Sequence, residues 1–115
     1  MIDYAKEIVT ELKKILPTYP ELFVNSKYAV PCITYRTNNN YDIAMANEQY
    51  GFSRLSYIIK LWGTTEKDLV QYKLAIDSAM RQLGFTRTIT NELTYNNQIQ
   101  YAFTYEATGY EHNDN

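Results

Sequence analysis

The sequence is poor in the residue types that build reactive centres. Cys32 is the single cysteine, which excludes an internal disulfide framework and a metal site built on several thiolates, and fits a reducing compartment. His112 is the single histidine. It falls in the polar stretch 109–115, read as a frayed tail, where no imidazole is held for triad or metal chemistry. Only four glycines are present, and they form neither a dinucleotide-binding pattern nor a phosphate loop. Eleven basic side chains against thirteen acidic ones leave a net charge of −2, so nothing draws the chain to a phosphate backbone. No apolar run approaches about 18 residues, and the start of the chain lacks the basic and apolar regions of a signal peptide. The expectation is one domain over 1–115, made in the cytosol, with no membrane span, no cofactor and no metal.

What the chain has in abundance is tyrosine, twelve of 115 residues, with asparagines clustered at 38–40 and 96–97. Tyrosine offers large, rigid contact area with a polar tip, which suits protein interfaces. An AT-rich genome favouring Tyr and Asn codons explains the same counts, and composition alone leaves both readings open.

Hydrophobic periodicity supplies the elements. Asp3 to Leu16 places Ala5, Ile8, Val9, Leu12, Ile15 and Leu16 at helical spacing, with Asp3 able to cap the start and Pro17 to stop it. Pro17 to Val30 is irregular, with a short strand allowed at Leu22-Phe23-Val24. Pro31 to Thr37 reads as a strand. Asn38 to Gly51 has no clean period and reads as a long loop or flexible arm. Phe52 to Trp62 is the strongest strand, with Leu55, Tyr57, Ile59 and Leu61 on one face and Arg54, Ser56, Ile58, Lys60 and Trp62 on the other. Thr65 and Asp68 form a plausible capping box for a second helix that runs to about Leu83, with Leu69, Tyr72, Ile76, Ala79, Met80 and Leu83 as its stripe. Gly84 is placed to end that helix in a left-handed conformation, and Phe85 to pack back on Met80.

A threonine-rich strand follows over 85–90, then a connection from Asn91 to Asn97 whose Asn96-Asn97 pair suits a positive-φ turn. A last strand alternates Ile99, Tyr101, Phe103 and Tyr105 with Gln98, Gln100, Ala102, Thr104 and Glu106. The order predicts an α+β fold, a single antiparallel or mixed sheet of about four strands with two helices packed on one face and the other face free for water or a partner.

Candidate chemistry is sparse. Cys32 reads as a small core residue, since no fixed histidine is available as its base. Glu48, Glu66, Asp68, Glu92 and Glu106 show no spacing that gathers two carboxylates in one pocket, and read as solvated faces and caps. Tyr101, Phe103 and Tyr105 are spaced like a base-stacking platform, but no Lys or Arg lies among them to hold phosphates, so they read as core. Trp62, at a strand end opposite the core face, needs cover from its own chain or from another subunit. Arg36, Arg54, Lys60 and Arg87 complete the outer-face groups.

The run Leu55-Ser-Tyr-Ile-Ile-Lys-Leu-Trp62-Gly, then Thr-Thr-Glu-Lys-Asp, a helix ending Leu83-Gly84-Phe85, and Ile99-Gln-Tyr-Ala-Phe-Thr-Tyr105 resembles the tail-terminator or tail-completion proteins of long-tailed bacteriophages. The likeness is one of order and spacing, over roughly Pro31 to Ala107. It implies a subunit of a six-membered ring that caps the tail tube, in contact with the tube protein and the head-connector proteins in the virion. On that reading Asn38, Asn39, Asn40, Tyr41, Tyr50, Arg54 and Trp62 are the candidate contacts with a neighbouring subunit or the tube. A head-side adaptor or stopper of the connector is the alternative from the same setting, and a small RNA- or ligand-binding regulatory domain the alternative from another class.

Overall fold

The computed structural model describes residues 4–21, 29–38, 41–43, 50–95 and 97–112, with the backbone alone at 41–43, 50–53, 95 and 108–112. The elements are α1 (Ala5–Leu12), β1 (Thr18–Pro20), β2 (Cys32–Thr37), β3 (Tyr41–Ile43), β4 (Tyr50–Gly63), α2 (Glu66–Gln82), β5 (Thr86–Tyr95) and β6 (Gln98–His112). One mixed sheet holds all six strands. Five lie side by side in the order β1-β2-β4-β6-β5, and β3 pairs β4 beyond the end of β2. Only the β1–β2 pair is parallel.

The α+β class is as expected, but the strand count exceeds four because two segments without clear periodicity gain partners. Inside the expected loop, residues 41–43 pair with Phe52 to Arg54 of β4, and Tyr50 and Gly51 extend β4 against His112 and Glu111 of β6. The expected connection 91–97 is strand as far as Tyr95, held by a continuous register against β6. Beta-6 in turn continues through Gly109 to His112, where a frayed tail was expected, because Tyr50 to Arg54 pair with its backbone. Residues 113–115 lie outside the described residues.

The core forms between the sheet and both helices. Leu55, Tyr57, Ile59 and Leu61 of β4 and Tyr101, Phe103 and Tyr105 of β6 are buried against Ile8 and Leu12 of α1 and Leu69, Ile76 and Met80 of α2. Each fully buried aliphatic side chain contributes roughly 1.5–3 kcal/mol by its removal from water. Helix α1 is shorter than its periodic stripe: hydrogen-bonded turns replace regular helix after Leu12, and Ile15 and Leu16 reach the core from there. Asp3 lies outside the described residues, as does the strand allowed at Leu22 to Val24; among the described residues of that region, Thr18–Pro20 is strand.

Helix α2 ends as its sequence predicts. Gly84 has φ +93°, its N–H donates to the Arg81 carbonyl at 3.0 Å, and the Phe85 N–H donates to the Met80 carbonyl at 2.9 Å. This double bond pattern satisfies the carbonyls of the last turn and buries Phe85. At the start, the Thr65 hydroxyl donates to the Asp68 carboxylate at 2.7 Å and makes no bond to a helix N–H, so the two side chains bond each other without closing a capping box. Gly63 is fixed by packing: a Cβ there would lie 2.9 Å from Leu69 Cγ.

Candidate functional site

Length separates β4 and β6 from everything packed on them. The fourteen residues of β4 span about 46 Å as a strand, whereas the seventeen residues of α2 span about 25 Å. Helix α2 starts three residues after β4 ends and runs back along it. Its layer therefore covers β4 from Gly63 to about Leu55, the first core residue of that strand. Beyond Leu55 the sheet continues as a three-stranded ribbon of Tyr41–Ile43, residues 50–54 and residues 108–112, about 17 Å past the helix layer.

Four of the expected contact residues fall on or next to this ribbon. Asn38 ties its root: its N–H donates to the Ser56 carbonyl at 2.8 Å and its Nδ2 to Ser56 Oγ at 3.1 Å. The backbones of Tyr41 and Tyr50 are ribbon strand, and Arg54, opposite Tyr41 and Thr108, is exposed. Arg54 also borders a shallow open pocket of about 270 Å³ with Gly84, Thr86, Glu106 and Ala107. Asn39 and Asn40 lie outside the described residues. Trp62 is not part of this group, because it sits at the opposite end of β4.

Trp62 belongs to the sheet's second face, which carries no described helix. It is half-buried, opposite Cys32 and Gln100, and its Nε1 donates to Thr34 Oγ1 at 3.0 Å. Its polar atom is thus satisfied within the chain. Farther along the same face, Glu21 is ion-paired with Lys60 and with Arg36, the latter at 3.3 Å. The Glu21 side chain is only 9% exposed, so the two cations balance a charge that water reaches poorly. Cys32 is buried and its pKa is pushed up by that burial, the opposite of an activated thiol.

The aromatic run of β6 faces the helices, so it offers no base-stacking platform. The Tyr101 hydroxyl donates to Glu66 at 2.8 Å, with Glu92 at 3.3 Å and the Lys73 ammonium 4.1 Å from its ring. The Tyr105 hydroxyl donates to Asp77 at 3.1 Å, and Arg81 Nε donates to the other Asp77 oxygen at 2.7 Å. Burial, followed by the adjoining carboxylates, drives both tyrosine pKa values well above the ordinary 10. Burial also opposes ionisation of Asp77, but its bonds from Arg81 and Tyr105 and the nearby charges of Arg81 and Arg87 outweigh that and hold it below the usual carboxylate value.

Beta-5 forms one edge of the sheet, and every described side chain from Thr86 to Thr94 is exposed. Its register places Arg87, Thr90, Glu92 and Thr94 beside the core row of β6, and Ile89, Asn91 and Leu93 on the other face. Thr88 is skipped between Arg87 and Ile89, a bulge. Sequence reading gave this edge no role. The signal was present in the alternation Ile89-Asn91-Leu93 and in Val70 and Leu74, apolar residues off the core stripe of α2.

Among the described residues, no helix is long and apolar enough to cross a membrane. No protein-family model matches the chain, and no curated protein matches it.

Proposed function

We propose that the chain is a non-catalytic assembly subunit, the tail-terminator or tail-completion protein of a long-tailed bacteriophage, which forms a ring on the finished tail tube and joins it to the head connector. The observation that carries this reading is the ribbon that outruns the helix layer. Its cross-strand backbone pairing carries three strands past the helix layer, where they offer backbone and side chains to a neighbouring subunit or the tube. The order of strands and helices that resembles the phage family supports the same assignment. In the ring, Asn38, Tyr41, Tyr50 and Arg54 would line the contact.

Deletion of the gene from a phage that encodes it tests the proposal. Electron microscopy should find tails of irregular, excessive length or tails without heads. Normal virions would sink it, and full-length tails beside heads with leaking DNA would favour the head-side adaptor or stopper.

A further inference from the structure

We infer that β5 is the self-association edge of the protein: two copies join by antiparallel pairing of their β5 strands about a two-fold axis at Asn91. The inference is independent of the tail reading. It starts from the edge itself. Beta-5 is ten residues long and, among the described residues, pairs with β6 alone. It carries neither lysine nor proline, the residues that blunt edges, and its one bulge lies near its start.

Exposed apolar groups border this edge on both faces of the sheet. Val70, Leu74, Ile89 and Leu93 are 44%, 68%, 52% and 56% exposed, and they are the large apolar side chains left open among the described residues. Ile89 and Leu93 are on β5. Val70 and Leu74 are on α2, and helical geometry fixes their side of it. With Leu69 facing the core, Asp77, Val70 and Leu74 stand about 80°, 100° and 140° round the helix in one direction, while Tyr72 and Ala79 stand in the other. Asp77 reaches Tyr105 of β6; Tyr72 packs into the core. Val70 and Leu74 therefore flank the β5 side.

The pattern is self-complementary, which selects a second copy as occupant. Antiparallel pairing centred on Asn91 sets Ile89 opposite the partner's Leu93 and Leu93 opposite the partner's Ile89, all on one face. It sets Thr90 opposite the partner's Glu92 on the other face, and matches 87–95 with 95–87. Shifting the centre to Glu92 would oppose two glutamates directly, and centring on Thr90 would set Ile89 against asparagine. The edge's charged groups are already engaged inside the subunit, Glu92 with Tyr101 and Arg87 over the Phe103 ring and beside Asp77. Lys73, which lies over Tyr101, puts the Val70–Leu74 part of α2 close to the level of Asn91, whose β6 partner is Ala102. The contact closes on itself about the axis, leaving the ribbon free.

Sedimentation velocity from 1 to 100 µM should show a monomer–dimer equilibrium. Ile89→Lys should weaken it at least tenfold while leaving the circular dichroism spectrum and melting temperature of the monomer in place. To fix the register, the double variant Ile89→Cys with Leu93→Cys should cross-link into a disulfide dimer under mild oxidation, as should Asn91→Cys alone. Ile89→Cys alone should not, since its own copy across the axis is four residues, about 13 Å, away. A monomer at 100 µM, an assembly untouched by Ile89→Lys, or cross-linking without regard to register would each overturn the inference.

Discussion

The Tyr105 hydroxyl donates to Asp77 Oδ1 at 3.1 Å, joining β6, an interior strand of the sheet, to α2. Because Arg81 occupies the other oxygen of Asp77, the carboxylate keeps a partner when the hydroxyl is removed. Tyr105→Phe is therefore expected to cost about 1 kcal/mol, the net worth of one such bond. Asp77→Ala should cost more, since it strands a hydroxyl in the core. Urea unfolding of the two variants measures the difference.

The same tyrosines set the alkaline limit of stability. Burial and neighbouring carboxylates raise the folded pKa values of Tyr101 and Tyr105 above the unfolded value of about 10. Their contribution is complete below pH 10 and drains as pH rises beyond it. Asp77 runs the other way: with its folded pKa depressed, its contribution is present above about pH 4 and is lost as pH falls. Urea midpoints followed from pH 3 to 11 should decline at both ends, and the double variant Tyr101→Phe, Tyr105→Phe should flatten the alkaline decline. An unchanged alkaline slope would count against this origin.

Trp62 is the single tryptophan, so its fluorescence reports its own surroundings. Thr34→Val removes the acceptor of its indole N–H and leaves a half-buried donor unpaired. A loss of about 1–3 kcal/mol is expected, with a shift in the emission maximum of the folded protein.

Two glycines should fail for different reasons. Gly84→Ala meets no neighbour within 4 Å but is held at φ +93°, and should cost about 1–2 kcal/mol through backbone strain. Gly63→Ala drives a methyl group into Leu69 and should cost about 1–3 kcal/mol. Combining it with Leu69→Val should recover part of that loss, whereas Gly84→Ala should gain nothing from the same change. Thermal melts of the single and double variants separate strain from crowding.

Among the described residues, the buried row of β4 begins at Leu55 and that of β6 ends at Tyr105, so stability and assembly should separate beyond them. Replacing 39–53 by a short turn and ending the chain after Thr108 is expected to leave a cooperative melt within a few degrees of the parent. On the proposed function the same variant should no longer complete tails in an infected cell.

The helix-covered half of the molecule was legible because its burial writes a period into the sequence. Leu55 to Leu61 and Tyr101 to Tyr105 alternate, Leu69 to Met80 recur at helical spacing, and Gly84 marks its own turn. The rest was not legible for a reason those same rules supply. Residues 41–43, 50–54 and 108–112 are joined by backbone pairing, Tyr50 with His112 far along the chain, and their sequence carries no clear period of its own. Beta-5 beyond Thr90 failed similarly: an edge with every described side chain exposed leaves only a faint alternation. Trp62 was singled out correctly as needing cover, but its partner Thr34 is 28 residues away and visible only once β2 and β4 are in register.

The place of β6 in the middle of the sheet governs how the protein can be born. It is the last strand in sequence, yet it bonds β4 on one side and β5 on the other, and its far end meets Tyr50, sixty-two positions earlier in the chain. Until residues 98–112 have left the ribosome, β4 can pair only with β2 and β3, and the apolar row of Leu55, Tyr57, Ile59 and Leu61 has lost one wall of its enclosure. Folding is thus rich in distant contacts, which makes it slow for a domain of this size. Until β6 docks, β4 keeps one long edge bare, a template on which another chain could pair.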